Sequence, residues 1–338
     1  MFPPFGLSAV ATQWQFAPVV TAVVVLAAAL YGWGVVRVAR RHPARPWPMW
    51  RTGLFAAGLL VIVIATQSGI GAYDDLLFYD HMIQHLLLLM VAPPLLIGGQ
   101  PITLLLHASR NPLHTWAKRA VRSTAASFLT WPVFGAAAYA LAVMASHLTV
   151  IATYTEQNQY WHNAEHALFV VVGYLFYLPI LGTEPIRWRL SYPIRFVLLV
   201  LLMPIDTFTG VALGYGSAGS PGVPAGPRPA WAPSPVSDLH SGGAVMWVGG
   251  DGIMFVLMMI VFLMWATDQR AAVSGRSFFE RARQENLAAL VATGQQGAAA
   301  SGERPAPAES RTSIDDDEHL AAYNEYLARL NRSHGSAR

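Results

Sequence analysis

Long runs of apolar residues alternate with short polar segments along most of this chain. A run of about 20 apolar residues is long enough to cross a bilayer as an α-helix. The pattern predicts seven such spans, at Pro18–Val38, Thr52–Gly71, Leu76–Ile97, Trp131–Val150, Trp161–Leu181, Ile194–Gly214 and Gly243–Trp265. The predicted fold class is therefore all-α, a polytopic membrane helix bundle with seven transmembrane helices. Pro93 and Pro94 predict a kink in the third helix.

The segments outside the spans divide the chain into three predicted parts. Residues 1–17 form an outer N-terminal segment, residues 18–265 the transmembrane domain, and residues 266–338 a cytoplasmic tail. Part of the tail is low-complexity sequence of Ala, Gly, Pro and Ser, which is typical of disorder. Near 314–332, acidic residues come first, arginines come last, and leucines recur at helical spacing. This order predicts a short amphipathic helix.

The basic residues indicate how the spans are oriented. Lys and Arg accumulate in the cytoplasmic loops of membrane proteins. Of the 22 Lys and Arg residues, only Arg228 falls in the second, fourth or sixth loop; the others lie in or at the edges of the first, third and fifth loops, or in the tail. The sequence therefore predicts an N-terminus outside the cell and a C-terminus in the cytoplasm.

Composition narrows the chemistry that this bundle can perform. The chain is 54% hydrophobic and 12% charged, whereas a soluble domain carries about 25% charged residues. The net charge of +3 does not suggest nucleic acid as a partner, because the basic residues flank membrane spans. The chain contains no cysteine, which excludes disulfides, thiolate zinc sites and iron–sulfur clusters. A metal would have to be held by His, Met, Asp or Glu.

Histidines gather at the predicted outer membrane boundary. The stretch HMIQHLLLLMVAPPLL opens the third span with His81 and His85, and WHNAEHALF opens the fifth with His162 and His166. Residues four apart share one helix face, so two facing helices could bind one or two metal ions between them. The candidate ligands are His81, His85, His147, His162, His166 and His240. Because the only sulfur available is that of Met, the set favours copper over zinc or iron.

Four further side chains near this boundary are candidates for supporting the site. Asp80 and Glu165 adjoin histidines in the sequence and could orient imidazoles by accepting hydrogen bonds from them. Met82 and Met246 could add soft ligands for copper, although a Met in a membrane helix is also ordinary packing. Interfacial packing likewise stays open as an alternative for any single histidine.

Two carboxylates are predicted at the depth of His85. Asp206 and Asp251 each lie about eight residues below the outer end of a span, which at 1.5 Å per residue is about 12 Å. One reading places them in a polar pocket shared with the histidines. The other gives each carboxylate its own hydrogen-bond partner between helices, and the sequence leaves both readings open.

Four stretches resemble the CtaG family of seven-helix integral-membrane cytochrome c oxidase assembly factors, the kind associated with caa-type oxidases of Gram-positive bacteria. They are HMIQHLLLLMVAPPLLIGGQPITLLL, WHNAEHALFVVVGYLFYLPI, LSYPIRFVLLVLLMPIDTFTGVAL and GGAVMWVGGDGIM. The resemblance runs from about residue 20 to 270 and implies a role in maturing a haem–copper oxidase. It carries over to His81, His85, His162 and His166, and also to His147. Asp206, His240 and Asp251 are supported by their depth and position alone.

Three functions compete at this point. The first is an assembly factor in a bacterial cell membrane that binds copper on the outer side and passes it to an oxidase subunit. The second is a copper permease, against which the predicted inner half of the bundle carries no histidine. The third is a haem-binding redox protein, since facing histidines can ligate haem. The sequence shows no nucleophile–base pair and no phosphate-binding loop, so we do not predict an enzyme.

Overall fold

The described part of the chain is helical throughout. The computed structural model describes residues 3–217, 220 and 228–268, and no strand occurs among them. The predicted tail, including its amphipathic helix, lies outside the described residues. The helices are α1 Leu7–Thr12, α2 Pro18–Arg41, α3 Met49–Gln67, α4 Gly69–Tyr73, α5 Phe78–Leu86, α6 Ala92–Gly98, α7 Pro101–Ala108, α8 Leu113–Val121, α9 Thr124–Leu129, α10 Pro132–Leu148, α11 Val150–Gln157, α12 Gln159–Leu181, α13 Tyr192–Gly214, α14 Pro235–Ala244 and α15 Gly250–Thr267.

Six helical segments of the described residues are long and apolar enough to cross a membrane. They are Pro18–Arg41, Met49–Tyr73, Phe78–Ala108, Gln159–Leu181, Tyr192–Gly214 and Pro235–Thr267. At the fourth predicted span, helix α10 is apolar but only 17 residues long. It ends at Leu148, and the next residue, Thr149, caps α11 because its hydroxyl accepts a hydrogen bond from the backbone N–H of Ile151. The all-helical class is confirmed, with six candidate membrane-spanning segments among the described residues, whereas the seventh span and the orientation remain predictions.

The third and last membrane segments are composite helices. The third passes from α5 through a π-helical turn, Leu87–Val91, into α6, where Pro93 lies in the first turn. A proline ring clashes with the carbonyl of the preceding turn, and the π turn immediately before α6 accommodates it. The last segment begins at Pro235, eight residues before the predicted start, because Ser234 caps α14. A second π turn, Val245–Gly249, joins α14 to α15.

The core lies between the middle helices, and the first long apolar helix, α2, is peripheral. The main apolar cluster joins side chains of α5, α10, α12, α13 and α15, including the fully buried Phe169 and Tyr177. Helix α2 instead packs on α7 in a separate small cluster around Tyr31 and Leu104. Much of α2 is exposed, for example Val19, which is 75% exposed. Such an apolar surface is suited to lipid contact.

A glycine allows α12 to approach the first π turn closely. A Cβ atom built at Gly173 would lie 2.2 Å from the carbonyl oxygen of Leu89 and 2.9 Å from the ring of Pro93. The first of these neighbours is backbone and cannot turn aside as a side chain would. Gly173 therefore fixes the spacing between the two helices that carry the histidine pairs.

We expect Gly173→Ala to destabilise the protein by about 1–3 kcal/mol, because the added methyl group overpacks this contact. The measurement is the thermal unfolding temperature of the detergent-solubilised protein. Gly252→Ala is the matched control, since nothing lies within 4 Å of the Cβ position there. An equal unfolding temperature for both variants would show that the close approach is not required.

Candidate metal centre

Five of the six candidate histidines meet in one buried cluster. Helix α5 presents His81 and His85 toward α12, which presents His162 and His166, and His147 joins them from the C-terminal end of α10. Each of the five is less than 10% exposed. The i, i+4 spacing places each pair on one helix face, so the spacing found in the sequence becomes a contact between helices.

The five rings are packed against one another without an intervening layer of apolar side chains. The ring centroids of His81 and His85 are 3.9 Å apart, and those of His162 and His166 are 4.4 Å apart. Across the helices, His81 lies 5.2 Å from His162, and His85 lies 5.7 Å from His166. His85 also lies 5.2 Å from His147. Such spacing brings ring nitrogens within reach of a single ion.

Hydrogen bonding fixes the tautomers on one side of the cluster. His147 Nδ1 lies 2.8 Å from the carbonyl oxygen of Val143, and a carbonyl only accepts, so Nδ1 carries the hydrogen. In the neutral ring, Nε2 of His147 must then accept, and its partner is Nδ1 of His85 at 3.1 Å. His85 therefore donates from Nδ1 and keeps a lone pair on Nε2. That nitrogen is buried and has no hydrogen-bond partner.

Within the part of the chain that the structure describes, two sets of side chains lie close enough together to hold a metal ion. One, which we call the core set, consists of His81, His85 and His166; the other, the mouth set, consists of Asp74, His162 and His166. Within each set the potential ligand atoms lie within 4.8 Å of one another. Nε2 of His166, like that of His85, is buried and has no hydrogen-bond partner. Buried polar atoms are rarely left in this state, and a cation bound by their lone pairs would satisfy them.

Sequence reasoning missed Asp74. It lies in the short polar segment between α4 and α5, and one of its carboxylate oxygens is 3.3 Å from Nε2 of His162. A carboxylate oxygen of the adjacent Asp75 is 3.7 Å from Nδ1 of the same ring. Partial burial and the neighbouring Asp74 raise the pKa of the Asp75 carboxyl group. The available signal was two consecutive acids beside a predicted outer histidine pair.

The predicted supporting residues have varied surroundings. Asp80 is fully buried, yet neither of its carboxylate oxygens has a hydrogen-bond partner, so it does not orient an imidazole in this structure. Glu165 is buried on α12 next to His166, and a role for it in orienting imidazoles stays a prediction. Met82 and Met246 belong to the main apolar core. Of the two roles that the sequence left open for them, copper ligand or packing, this position matches packing.

The two deep carboxylates each have their own partner. The hydroxyl of Tyr139 donates to Asp206, with oxygen–oxygen distances of 3.0 and 3.2 Å. The hydroxyl of Thr207 donates to Asp251 at 3.0 Å. Neither carboxylate belongs to the core set or the mouth set. The geometry thus matches the reading in which separate hydrogen bonds satisfy them.

His240 is the candidate ligand that the fold does not bring to the cluster. It is exposed, and its Nε2 bonds to the carbonyl oxygen of Gly216 at 2.9 Å. Two residues before His240, Asp238 is fully buried and makes contacts that hold α5 in place. Its carboxylate accepts hydrogen bonds from the backbone N–H groups of Phe78 and Tyr79, at 2.9 and 3.1 Å. Phe78 and Tyr79 belong to the first turn of α5, so Asp238 connects the segment Pro235–Thr267 to the helix that carries His81 and His85.

Arg228 completes this connection. Its guanidinium lies 2.6 Å from the Asp238 carboxylate and also donates to the carbonyl oxygen of Pro233. Arg228 is the one basic residue on the predicted outer side. Its ion pair with Asp238 gives it a structural reason to be there despite the general distribution of positive charge.

The fold and the cluster together define an all-helical protein with six candidate membrane-spanning segments among its described residues and a buried group of histidines from three helices. The chain belongs to the family of cytochrome c oxidase caa3 assembly factors (Caa3_CtaG), whose family pattern matches residues 29–268. This confirms the resemblance seen in the sequence. No solved structure matches the chain.

Mycobacterial proteins are among its relatives. It is 29% identical over 285 residues to the uncharacterized protein MT0111 of Mycobacterium tuberculosis, a match that covers 80% of this chain and 42% of that protein. It is 30% identical over 271 residues to the uncharacterized protein ML1998 of Mycobacterium leprae, covering 78% of this chain and 41% of that protein. The chain thus spans about two fifths of the length of these relatives.

We expect Asp238→Ala to destabilise the protein by about 3–5 kcal/mol, because it removes the carboxylate partner of a largely buried guanidinium and of two backbone N–H groups. Thermal unfolding in detergent measures the effect. His240→Ala, two residues away and exposed, should unfold at the wild-type temperature. Equal stability of the two variants would show that Asp238 does not hold α5 in place.

Proposed function

We propose that this protein assists the maturation of a haem–copper oxidase by binding a copper ion at the histidine cluster and passing it to an oxidase subunit. The family supports the role in oxidase assembly. The observation that carries the copper step is the group of buried imidazoles in which Nε2 of His85 and Nε2 of His166 have no hydrogen-bond partner. Copper is the cargo in this proposal.

The donor set is suited to copper. Imidazole binds copper, zinc, iron and nickel, and the chain has no thiolate that would favour an iron–sulfur cluster or a structural zinc site. Three buried imidazoles can bind an ion firmly. They also leave a coordination position of the ion to which a ligand of the recipient subunit can bind. His147, held by the Val143 carbonyl, orients His85 rather than acting as a ligand. Partners of this kind tune the affinity of metal sites.

The orientation is part of the proposal. With the N-terminus outside, the cluster lies toward the outer face of a bacterial cell membrane, and lipid surrounds the exposed apolar surface of α2 and its neighbours. The distribution of Lys and Arg supports this orientation, and the ion pair of Arg228 with Asp238 accounts for its single exception.

The two alternatives have less support from the geometry. A permease would need a path beyond the cluster, but Asp206 and Asp251 are bonded to Tyr139 and Thr207 and belong to neither ligand set. A haem would need a wide gap between opposed histidines. The rings here lie in direct contact, which favours a single ion.

We expect His85→Ala and His166→Ala each to reduce the copper retained after a chelating wash to background and to abolish oxidase maturation. The double variant should be no worse, because residues of one site do not act additively. Copper analysis of purified protein and oxidase activity of the membranes measure these effects. His147→Ala should weaken copper binding by about 10–100-fold, as expected for an orienting residue.

His240→Ala is the matched control for these variants, because its ring lies outside both ligand sets. It should retain copper and support maturation like the wild type. Normal copper content in both single variants of the cluster would contradict the proposal and leave interfacial packing as the role of the histidines.

A reporter that is active only outside the cytoplasm tests the orientation. We expect activity when it is fused after Asn158, in the fourth loop, and none when it is fused after Asn111 in the third loop, because the basic residues hold the third loop inside. Activity of the Asn111 fusion, or of a fusion at the C-terminus, would overturn the proposed topology.

A further inference from the structure

His166 belongs to both ligand sets. In the core set it accompanies His81 and His85, and in the mouth set it accompanies Asp74 and His162. Since the ligand atoms of each set lie within 4.8 Å of one another, the two positions for an ion are adjacent. Two cations held there at once would repel each other and compete for one imidazole. The arrangement therefore suits one ion with two alternative positions.

The ligand side chains of both sets are buried, but only the mouth set adjoins a strongly exposed side chain. The side chain of Asp75, beside the mouth set, is 64% exposed, that of Asp74 is 8% exposed and that of His162 is 4% exposed. The core set lies among buried residues, with His85 next to the fully buried Phe169 at 4.5 Å between ring centroids. An ion arriving from solvent meets the acidic segment first and the core set afterwards.

The two sets also differ in charge. Moving a cation from water into a buried site without a counter-charge is costly. The mouth set offers the carboxylate of Asp74, whereas the core set consists of imidazoles alone. Both ring nitrogens of His162 lie near carboxylate oxygens, at 3.3 Å from Asp74 and 3.7 Å from Asp75, so this ring lies beside the acidic segment.

We propose that the two sets form a two-step path for one copper ion. The ion binds first to Asp74, His162 and His166, and then exchanges Asp74 and His162 for His81 and His85 while it keeps His166. Asp74 is thereby a metal ligand of the intermediate position. This inference depends on the proposed function, because it describes how the same cluster takes up its ion.

The test uses the full-length protein in detergent, titrated with Cu(II) and followed by electron paramagnetic resonance, which distinguishes nitrogen from oxygen ligands. His85→Ala removes one core ligand and leaves the mouth set complete, whereas His166→Ala removes a ligand from both sets. Asp74→Asn and Asp75→Asn, each combined with His85→Ala, separate the loss of a ligand from the loss of a nearby negative charge.

The expected result is a graded series. The wild type binds one ion tightly, and His85→Ala keeps one weaker site, with mixed nitrogen and oxygen ligands, that does not survive a chelating wash. His166→Ala has neither site. Adding Asp74→Asn to His85→Ala weakens the remaining site by about tenfold or more. Adding Asp75→Asn changes it by no more than about twofold, as expected for an exposed charge.

A second measurement covers the case in which a double variant does not fold. Asp74→Asn alone should bind Cu(II) with an equilibrium affinity within about threefold of the wild type, because the core set is intact, and take it up at least about tenfold more slowly. Asp75→Asn alone should take it up at a rate within about twofold of the wild type in physiological salt.

Several results would overturn the inference. These are the absence of a residual site in His85→Ala, equal effects of the two Asp variants, or a single Asp74→Asn variant that takes up Cu(II) at the wild-type rate. Failure of the proposed function gives a different result, since the wild type itself would then bind no copper.

Discussion

The limited hydrogen-bonding capacity of a neutral imidazole constrains the whole site. Such a ring has one donor and one acceptor, and in an apolar bundle each must be matched by protein because little water is available. His147 donates to the Val143 carbonyl from Nδ1 and therefore accepts at Nε2 from Nδ1 of His85. The lone pair on Nε2 of His85 is then left without a hydrogen-bond partner. A fold that leaves buried lone pairs next to one another gives up some stability where a cation can restore it.

The surrounding helices hold these rings in place through a few close contacts. Gly173 allows α12 to lie against the turn that follows α5, while Asp238 binds the first turn of α5. Gly242 admits the ring of Phe78, since a Cβ there would lie 2.4 Å from it. The two ends of the segment that carries His81 and His85 are thus each fixed by a neighbouring helix, and the direction of these histidines follows from backbone contacts as much as from their own packing.

Much of this could be predicted from local pattern. Apolar runs gave most of the membrane segments, and i, i+4 spacing indicated which histidine pairs face one partner. Local pattern could not reveal Asp74. It lies in a short segment between two helices, where no helical repeat indicates which way a side chain points. Nor could local pattern reveal Asp238, whose hydrogen bonds reach residues 159 and 160 positions away along the chain. His240 was predicted as a ligand from its position near the membrane boundary, but depth alone does not fix the direction of a side chain.

The π turn at Leu87–Val91 has a consequence for the rotational phase of the third membrane segment. Successive residues of an α-helix are rotated by about 100°, and a π turn contains one residue more than an α turn. The part that carries His81 and His85 is therefore out of phase with the part that begins at Ala92, and a helical wheel drawn through both would misplace one of them. Deleting one residue from the turn would restore a regular helix but rotate both imidazoles away from His166. The length of this apolar stretch, and not only its composition, thus sets the direction of the two imidazoles in the candidate metal centre.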